Sequence, residues 1–360
     1  MLIRFSLFSF LLLFTHLWCL AQSSTPKYSN EFLSLGVGGR GLGMANVQTA
    51  IANDVTAGYW NPASLVNLSH KYQGSIMHAS YFAGIANFDY GGFAMKMDSS
   101  STLGFSLIRF AIDDIPDTRY LYDANGAINY DNIRFFSAAD YAFLTSYGRY
   151  VPLLQGLSIG MNVKVVHRKA GEFASAWGFG LDAAARLDVK SWKFGLMLKD
   201  ITGTFNAWSH NTEMVREVYT ATGNEIPQNS LEITLPKAIL GIGKSFPLYK
   251  DFHLLTALDL DITFDGQRNV PVKTGFLSID PHFGLELDYD QLAMVRIGVK
   301  NFQQTKGLND KKSWSFQPDF GIGIKLNKIG IDYAFTDIGN QSESLYSHVF
   351  SIVLGFDEKK

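Results

Sequence analysis

The chain has 360 residues, with 31 Lys and Arg against 33 Asp and Glu, 47% hydrophobic residues and a single cysteine, Cys19. Charge this close to balance gives no support for a nucleic-acid partner, and one cysteine permits neither a disulfide framework nor a cysteine-built metal or redox site. After Leu20 no stretch approaches the roughly 20 consecutive apolar residues that a membrane-spanning helix needs.

In chain order, Arg4 precedes an apolar run from Phe5 to Leu20, and Cys19-Leu20-Ala21 puts small residues at the two positions a signal peptidase reads. Residues 1–21 therefore read as a cleaved signal peptide for Sec-type export. Residues 22–67 are rich in glycine and small residues and lack a period of two, which reads as an N-terminal hatch or plug. Residues 68–360 break into alternating segments and read as a β-barrel.

The clearest segment runs from Ser313 to Leu326. Trp314, Phe316, Phe320, Ile322, Ile324 and Leu326 share one face, and Ser313, Gln317, Asp319 and Lys325 share the other. Such a run exceeds the usual 5–6 residues of a soluble strand and suits the about 9–11 tilted residues that cross a bilayer, with some overhang. The segments are 70–82, 85–97, 101–112, 134–149, 156–169, 173–189, 191–201, 232–246, 251–264, 272–288, 291–302, 312–326, 328–337 and 345–357. Their even number fits an antiparallel up-and-down transmembrane barrel of about 14 strands. The even-numbered connections, such as Asp98 to Ser100, Lys190 and Asn327, are short. The longest, Asp113–Ile133 and Gly203–Leu231, lie on the opposite side, the asymmetry of periplasmic turns and external loops. Tyr81, Tyr147, Trp177, Trp192 and Trp314 fall where interfacial girdles are expected. Pro236 and Pro318 each remove a ladder donor, which suits a rim or bulge, or a weakened seam in the wall.

Gly36-Val37-Gly38-Gly39-Arg40-Gly41 fits the GxGxxG template, but no βαβ unit surrounds it, so it reads as tight backbone in the hatch. Alternation points Asp182, Arg186, Asp259, Asp261, Glu286, Asp288 and Asp319 into the lumen, where inward charge is ordinary. The spacing of Asp259, Asp261 and Asp265 is not that of a calcium loop, so no metal and no cofactor are expected. No HExxH or GxSxG element occurs, and the chain reads as non-enzymatic.

The stretch Gly36 to Met44, with Gly38, Arg40 and Gly43, then Ala52-Asn53-Asp54-Val55-Thr56-Ala57, then Tyr59-Trp60-Asn61-Pro62-Ala63-Ser64-Leu65, resembles the N-terminal hatch of the FadL-like outer-membrane barrels. It resembles especially the PorV/PorQ branch found with the type IX secretion system of Bacteroidota. Residues 205–209, 222–230, 258–269 and 278–284 are also similar to the PorV branch, although Ser64 stands where glycine is more usual. The resemblance implies a 14-stranded barrel in the outer membrane, among lipid and lipopolysaccharide. It also implies a role in binding or shuttling secreted proteins that carry C-terminal signal domains, together with an SprA-type translocon. Cargo contacts would then lie in the external loops, with Asp113, Asp114, Asp117, Trp208, Asn224 and Glu225 as candidates. The alternative within the same fold is a FadL-like transporter of hydrophobic small molecules.

Overall fold

The computed structural model describes residues 29–306, 312–336 and 347–357. The expected signal peptide and parts of the connections after Gln303 and Ile338 lie outside the described residues. In the first half the strands are β1 Tyr72–Tyr81, β2 Ala86–Lys96, β3 Ser101–Asp117, β4 Arg134–Tyr150, β5 Leu157–Ala170, β6 Ala174–Val189, β7 Trp192–Lys199, β8 Thr204–His210 and β9 Ser230–Thr234. Then follow β10 Lys237–Pro247, β11 Phe252–Thr263, β12 Val272–Lys273, β13 Ser278–Tyr289, β14 Ala293–Lys306, β15 Lys312–Leu326, β16 Ile329–Thr336 and β17 Ser347–Phe356.

Strand pairing runs from β1 through β7, then β10, β11 and β13 to β17, and returns to β1, which closes a 14-strand antiparallel barrel. Closure follows from the solvent, because lipid cannot hydrogen-bond a free strand edge. At the seam, Tyr72 to Ser80 pair with Phe356 to His348. Below it Asp357 accepts from His70 Nδ1 (2.8 Å) and from the Lys71 amide (3.0 Å), with Lys328 Nζ 3.5 Å away. The hydrogen bond from His70 is the main reason the Asp357 carboxyl is held down to about 2, well below its ordinary range.

Outside the ring sit three short strands. β8 pairs with the upper part of β6, from Ala174 to Phe179, whereas β7 pairs with the lower part, from Ala183 to Val189. β9 in turn pairs with β8. The segment expected as one strand over 232–246 is therefore two, β9 and β10, parted at Leu235 and Pro236. The neighbouring stave breaks at the same height, between β7 and β8, where Gly203 has φ +66°. Pro236 thus marks a real interruption of the wall. Pro318 does not: it pairs with Val299, and its neighbour Asp319 pairs with Thr336.

Side-chain parity sorts the two faces. Trp314, Phe316, Phe320, Ile322, Ile324 and Leu326 are all about half exposed, and Gln317 and Asp319 are buried inside. Phe105 and Leu107 also face outward. Tyr147, Trp177, Trp192 and Trp314 are outward as girdle residues should be. Tyr81 is not, since it is fully buried and packs on Phe88 in the lumen. Its place at a strand end suggested the girdle, but parity with Met77, whose sulfur accepts from the Gly38 amide, turns it inward.

Asp357→Asn should loosen the seam in a pH-dependent way. A carboxyl with a lowered folded pKa contributes stability above its unfolded value of 3.8, and the contribution fades as pH falls toward 2. Amide exchange in β1 and β17 should therefore be faster in the variant than in the wild type at neutral pH. The two should converge near pH 2.

Candidate functional site

The interior of the ring is occupied by residues 30–68, most of which are buried. The segment contains two short helices, α1 Gly39–Gly43 and α2 Ala57–Trp60, and a 3-10 turn at Pro62–Asn67. α1 lies against β14 to β17, and the 3-10 turn lies against β3 to β6. The fit is backbone on backbone: a Cβ added to Gly43 would stand 2.8 Å from the Gly321 Cα. Gly36 and Gly38 hold φ of +97° and +82°, a region that side chains resist. The glycine-rich stretch thus serves close approach and tight turning.

Polar residues of the segment fix it locally. Trp60 Nε1 donates to the Val37 carbonyl (3.0 Å). Asn61 Nδ2 donates to the Thr49 carbonyl (2.7 Å) and to Ala185 of the wall (3.2 Å), while its Oδ1 accepts from the Ala63 amide. Pro62 opens the turn, where a missing N–H costs nothing. Asp54 accepts from the Thr56 amide and hydroxyl and makes a turn of its own.

Arg40, Asp259 and Arg186 anchor the segment to the wall through charge. Arg40 donates through Nε and Nη2 to Glu286 (both 2.9 Å) and through Nη1 to Asn53 (2.8 Å). Glu286 also accepts from Arg296 Nε (2.6 Å), whose Nη1 reaches Asp332 (2.6 Å). Burial works against the Arg40 charge, yet Glu286 more than restores it, so its pKa stands above normal. Asp259 Oδ2 accepts from the Gln48 and Thr49 amides (3.1 and 3.0 Å). Arg186 Nη1 donates to the Ala52 carbonyl (2.5 Å) and to Ser64 (3.2 Å), so the serine that departs from the usual glycine has a partner.

The remaining lumen residues pair within the wall. Asp182 and Asp200 both hold Lys164 Nζ (3.0 and 2.6 Å), which staples β5 and β6 across the break above β7. Asp261 pairs with Lys237 at 3.4 Å, and Asp319 with Lys300 at 3.0 Å. Asp288 lies at the periplasmic mouth beside His253 and accepts from the Gln291 amide. Arg296, Asp332, Lys300 and Asp200 were not singled out from sequence. Their inward parity was available, but their partners depend on strand register.

Cavities lie on both sides of the segment. One of about 370 Å³, toward the external side, is lined by Lys199, Lys237, Asp261, His282 and Lys300. The other, of about 540 Å³ at the periplasmic mouth, is lined by Arg40, Lys193, His253, Glu286 and Asp332.

The external candidates divide. β3 continues through Asp113 and Asp114 to Asp117, with a bulge between Ile112 and Ile115, so these three belong to a strand and not to a loop. Asp117 is buried and committed to Arg119 (2.7 Å), and Asp113 lies 3.8 Å from Arg109. Trp208 is in β8 with Arg168 5.2 Å from its ring centre. Asn224 and Glu225 are exposed, after helix α3 Thr212–Thr222. Beneath α3 an apolar groove of about 420 Å³ is lined by Pro116, Phe136, Phe173, Val215 and Tyr219.

Comparison with family models and with curated proteins gives no match. Among solved structures, the Pseudomonas putida toluene transporter TodX is similar with TM-score 0.56 at 10% identity, covering 90% of this chain and 99% of that one. The monoaromatic hydrocarbon channel CymD gives 0.55 at 12%, covering 90% and 98%. The Ralstonia pickettii toluene transporter TbuX gives 0.50 at 11%, covering 89% and 98%. At this identity the likeness establishes the closed antiparallel barrel fold and nothing narrower.

Glu286→Gln removes the carboxylate that Arg40 and Arg296 share, so the folded barrel should lose about 3 kcal/mol in urea titration. Adding Arg40→Gln should cost less than the sum of the single changes, because each then lacks less.

Proposed function

We propose that this chain acts in the outer membrane as a protein-binding barrel of type IX secretion, taking the C-terminal signal domain of a secreted protein at its external face. One observation carries the reading: the lumen is blocked by an ion-paired segment and lined by charges, which suits a sealed scaffold better than an apolar conduit. A hydrophobic solute passing Lys199, Lys237, Asp261 and Lys300 would strip water from buried charges without replacing it, at high cost. The motif resemblance from Gly36 to Leu65 supports the same role. So do the β3–β4 hairpin, the β8–β9 hairpin and α3, which form an ordered external surface with an apolar groove.

A second reading, uptake of hydrophobic small molecules, is favoured by the solved neighbours, three of which are named as toluene or monoaromatic hydrocarbon proteins. The wall break at Pro236 also supports it. An affinity-tagged chain purified from its native outer membrane separates the two. The protein-binding reading expects co-purification of an SprA-type translocon or of proteins with C-terminal signal domains, weakened by replacing Phe136 and Tyr219 with Asp. Absence of both partners, together with hydrocarbon uptake that falls on gene deletion, would favour the transporter.

A further inference from the structure

The outer face of the barrel changes character along a single registered line. On β1 to β4 the cross-strand partners Ile76, Gly91, Leu107 and Phe143 make a row with apolar side chains. One outward position higher stand His78, Asp89, Arg109 and Tyr141, and above them Ser80, Asn87, Ala111 and Ala139. By strand parity all twelve share one face, because Met77 and Tyr90, the chain neighbours of His78 and Asp89, point into the lumen. Of the twelve, Ala111 is covered by its neighbours and fully buried.

Inside the wall at the same height the chemistry is reversed. Tyr81, Phe88 and Ile108 are fully buried in an apolar cluster. Upper β1 to β3 therefore follow the pattern of a water-soluble barrel, apolar within and polar without. β15 does the opposite over its whole length, with Asp319 inside and the row from Leu326 to Trp314 outside.

Height makes the contrast quantitative. A strand climbing about 3.4 Å per residue at a tilt near 40° rises roughly 2.5 Å per residue along the membrane normal. From Tyr72 to His78 the apolar face is then only roughly 15 Å tall, whereas a barrel belt is normally about 25 Å. From Leu326 to Trp314 it is roughly 30 Å by the same rise. Tilting the barrel cannot equalise these, since the β2–β3 turn at Asp98 to Ser100 already ends the apolar face below.

We infer that the belt has a notch on β1 to β4, and that the outer headgroup layer sinks there to the row of His78, Asp89, Arg109 and Tyr141, thinning the bilayer beside the seam. The occupant is lipid headgroup and its water. The row's charges are already paired among themselves, His78 with Asp89 at 2.7 Å and Arg109 with Asp89 at 3.2 Å and Asp113 at 3.8 Å. It asks its surroundings for high dielectric and not for new partner groups. A misfit between belt and bilayer is relieved by such thinning at modest cost per ångström.

Nitroxide labels on single cysteines test this in the full mature chain, both refolded into phosphatidylcholine vesicles of normal thickness and in native outer membranes. Positions 78 and 80 are compared with 320, which stands as far above Leu326 as His78 above Tyr72. In both membranes, collision with a water-soluble nickel chelate should be severalfold greater at 78 and 80 than at 320, where oxygen should dominate. Oxygen dominance at all three positions would overturn the notch. Shielding of 78 and 80 from both reagents in native membranes alone would overturn the lipid assignment in favour of a protein covering the face. Independently, the triple change His78→Leu, Asp89→Leu, Arg109→Leu should move fastest refolding to longer acyl chains. An unchanged optimum would contradict the inference.

Discussion

Everything in this molecule depends on the requirement that no strand edge meets lipid. Pairing of β1 with β17 satisfies it, and once the ring is shut each stave has an inside and an outside with no freedom between them. That single constraint converts alternation along the chain into a charged lumen and an apolar belt. It also creates the space that residues 30–68 fill, and explains why glycine on both sides of the contact, Gly43 and Gly321, lets backbone meet backbone.

The filling is held by charge and not by apolar packing alone. Glu286 shared by Arg40 and Arg296 is an anchor of the kind that is strongly destabilising to break, because its loss takes the carboxylate from Arg40 and leaves Arg296 with Asp332 alone. The amides of Gln48 and Thr49 on Asp259, and the Ala52 carbonyl on Arg186, extend the attachment along the same side of the ring, from β13 through β11 to β6. A segment tied to the wall by these charges and by further hydrogen bonds such as Gly39 to Ser351 and Ser146 to Gly58 leaves function to the two faces it separates. This is why the external hairpins, and not the lumen, are where a partner is sought.

Much of this was legible in the sequence, and the limits have physical causes. The staves were readable because two solvents write alternation along every crossing, as from Trp177 to Asp188. Inward Asp182, Asp259 and Glu286 followed from the same parity. Their partners did not, because Glu286 meets Arg296 only through the β13–β14 register, which no local pattern specifies. Position near a strand end points Tyr81 to the girdle, whereas parity turns it into the lumen. β8 reads as loop because it is short and carries turn residues, and Pro236, which suits a rim or bulge as well as a weakened seam, parts two strands of the wall. A bulge breaks the alternation of β3 at Asp113 and Asp114, so the pattern there reads as loop.

The central claim, a lumen sealed by its own N-terminal segment, is tested most directly by ion conductance of the purified full chain in planar bilayers. The structure requires no steady conductance through the wild-type barrel, with current appearing only when the Arg40–Glu286 anchor is removed. A steady open current in the wild type would contradict it.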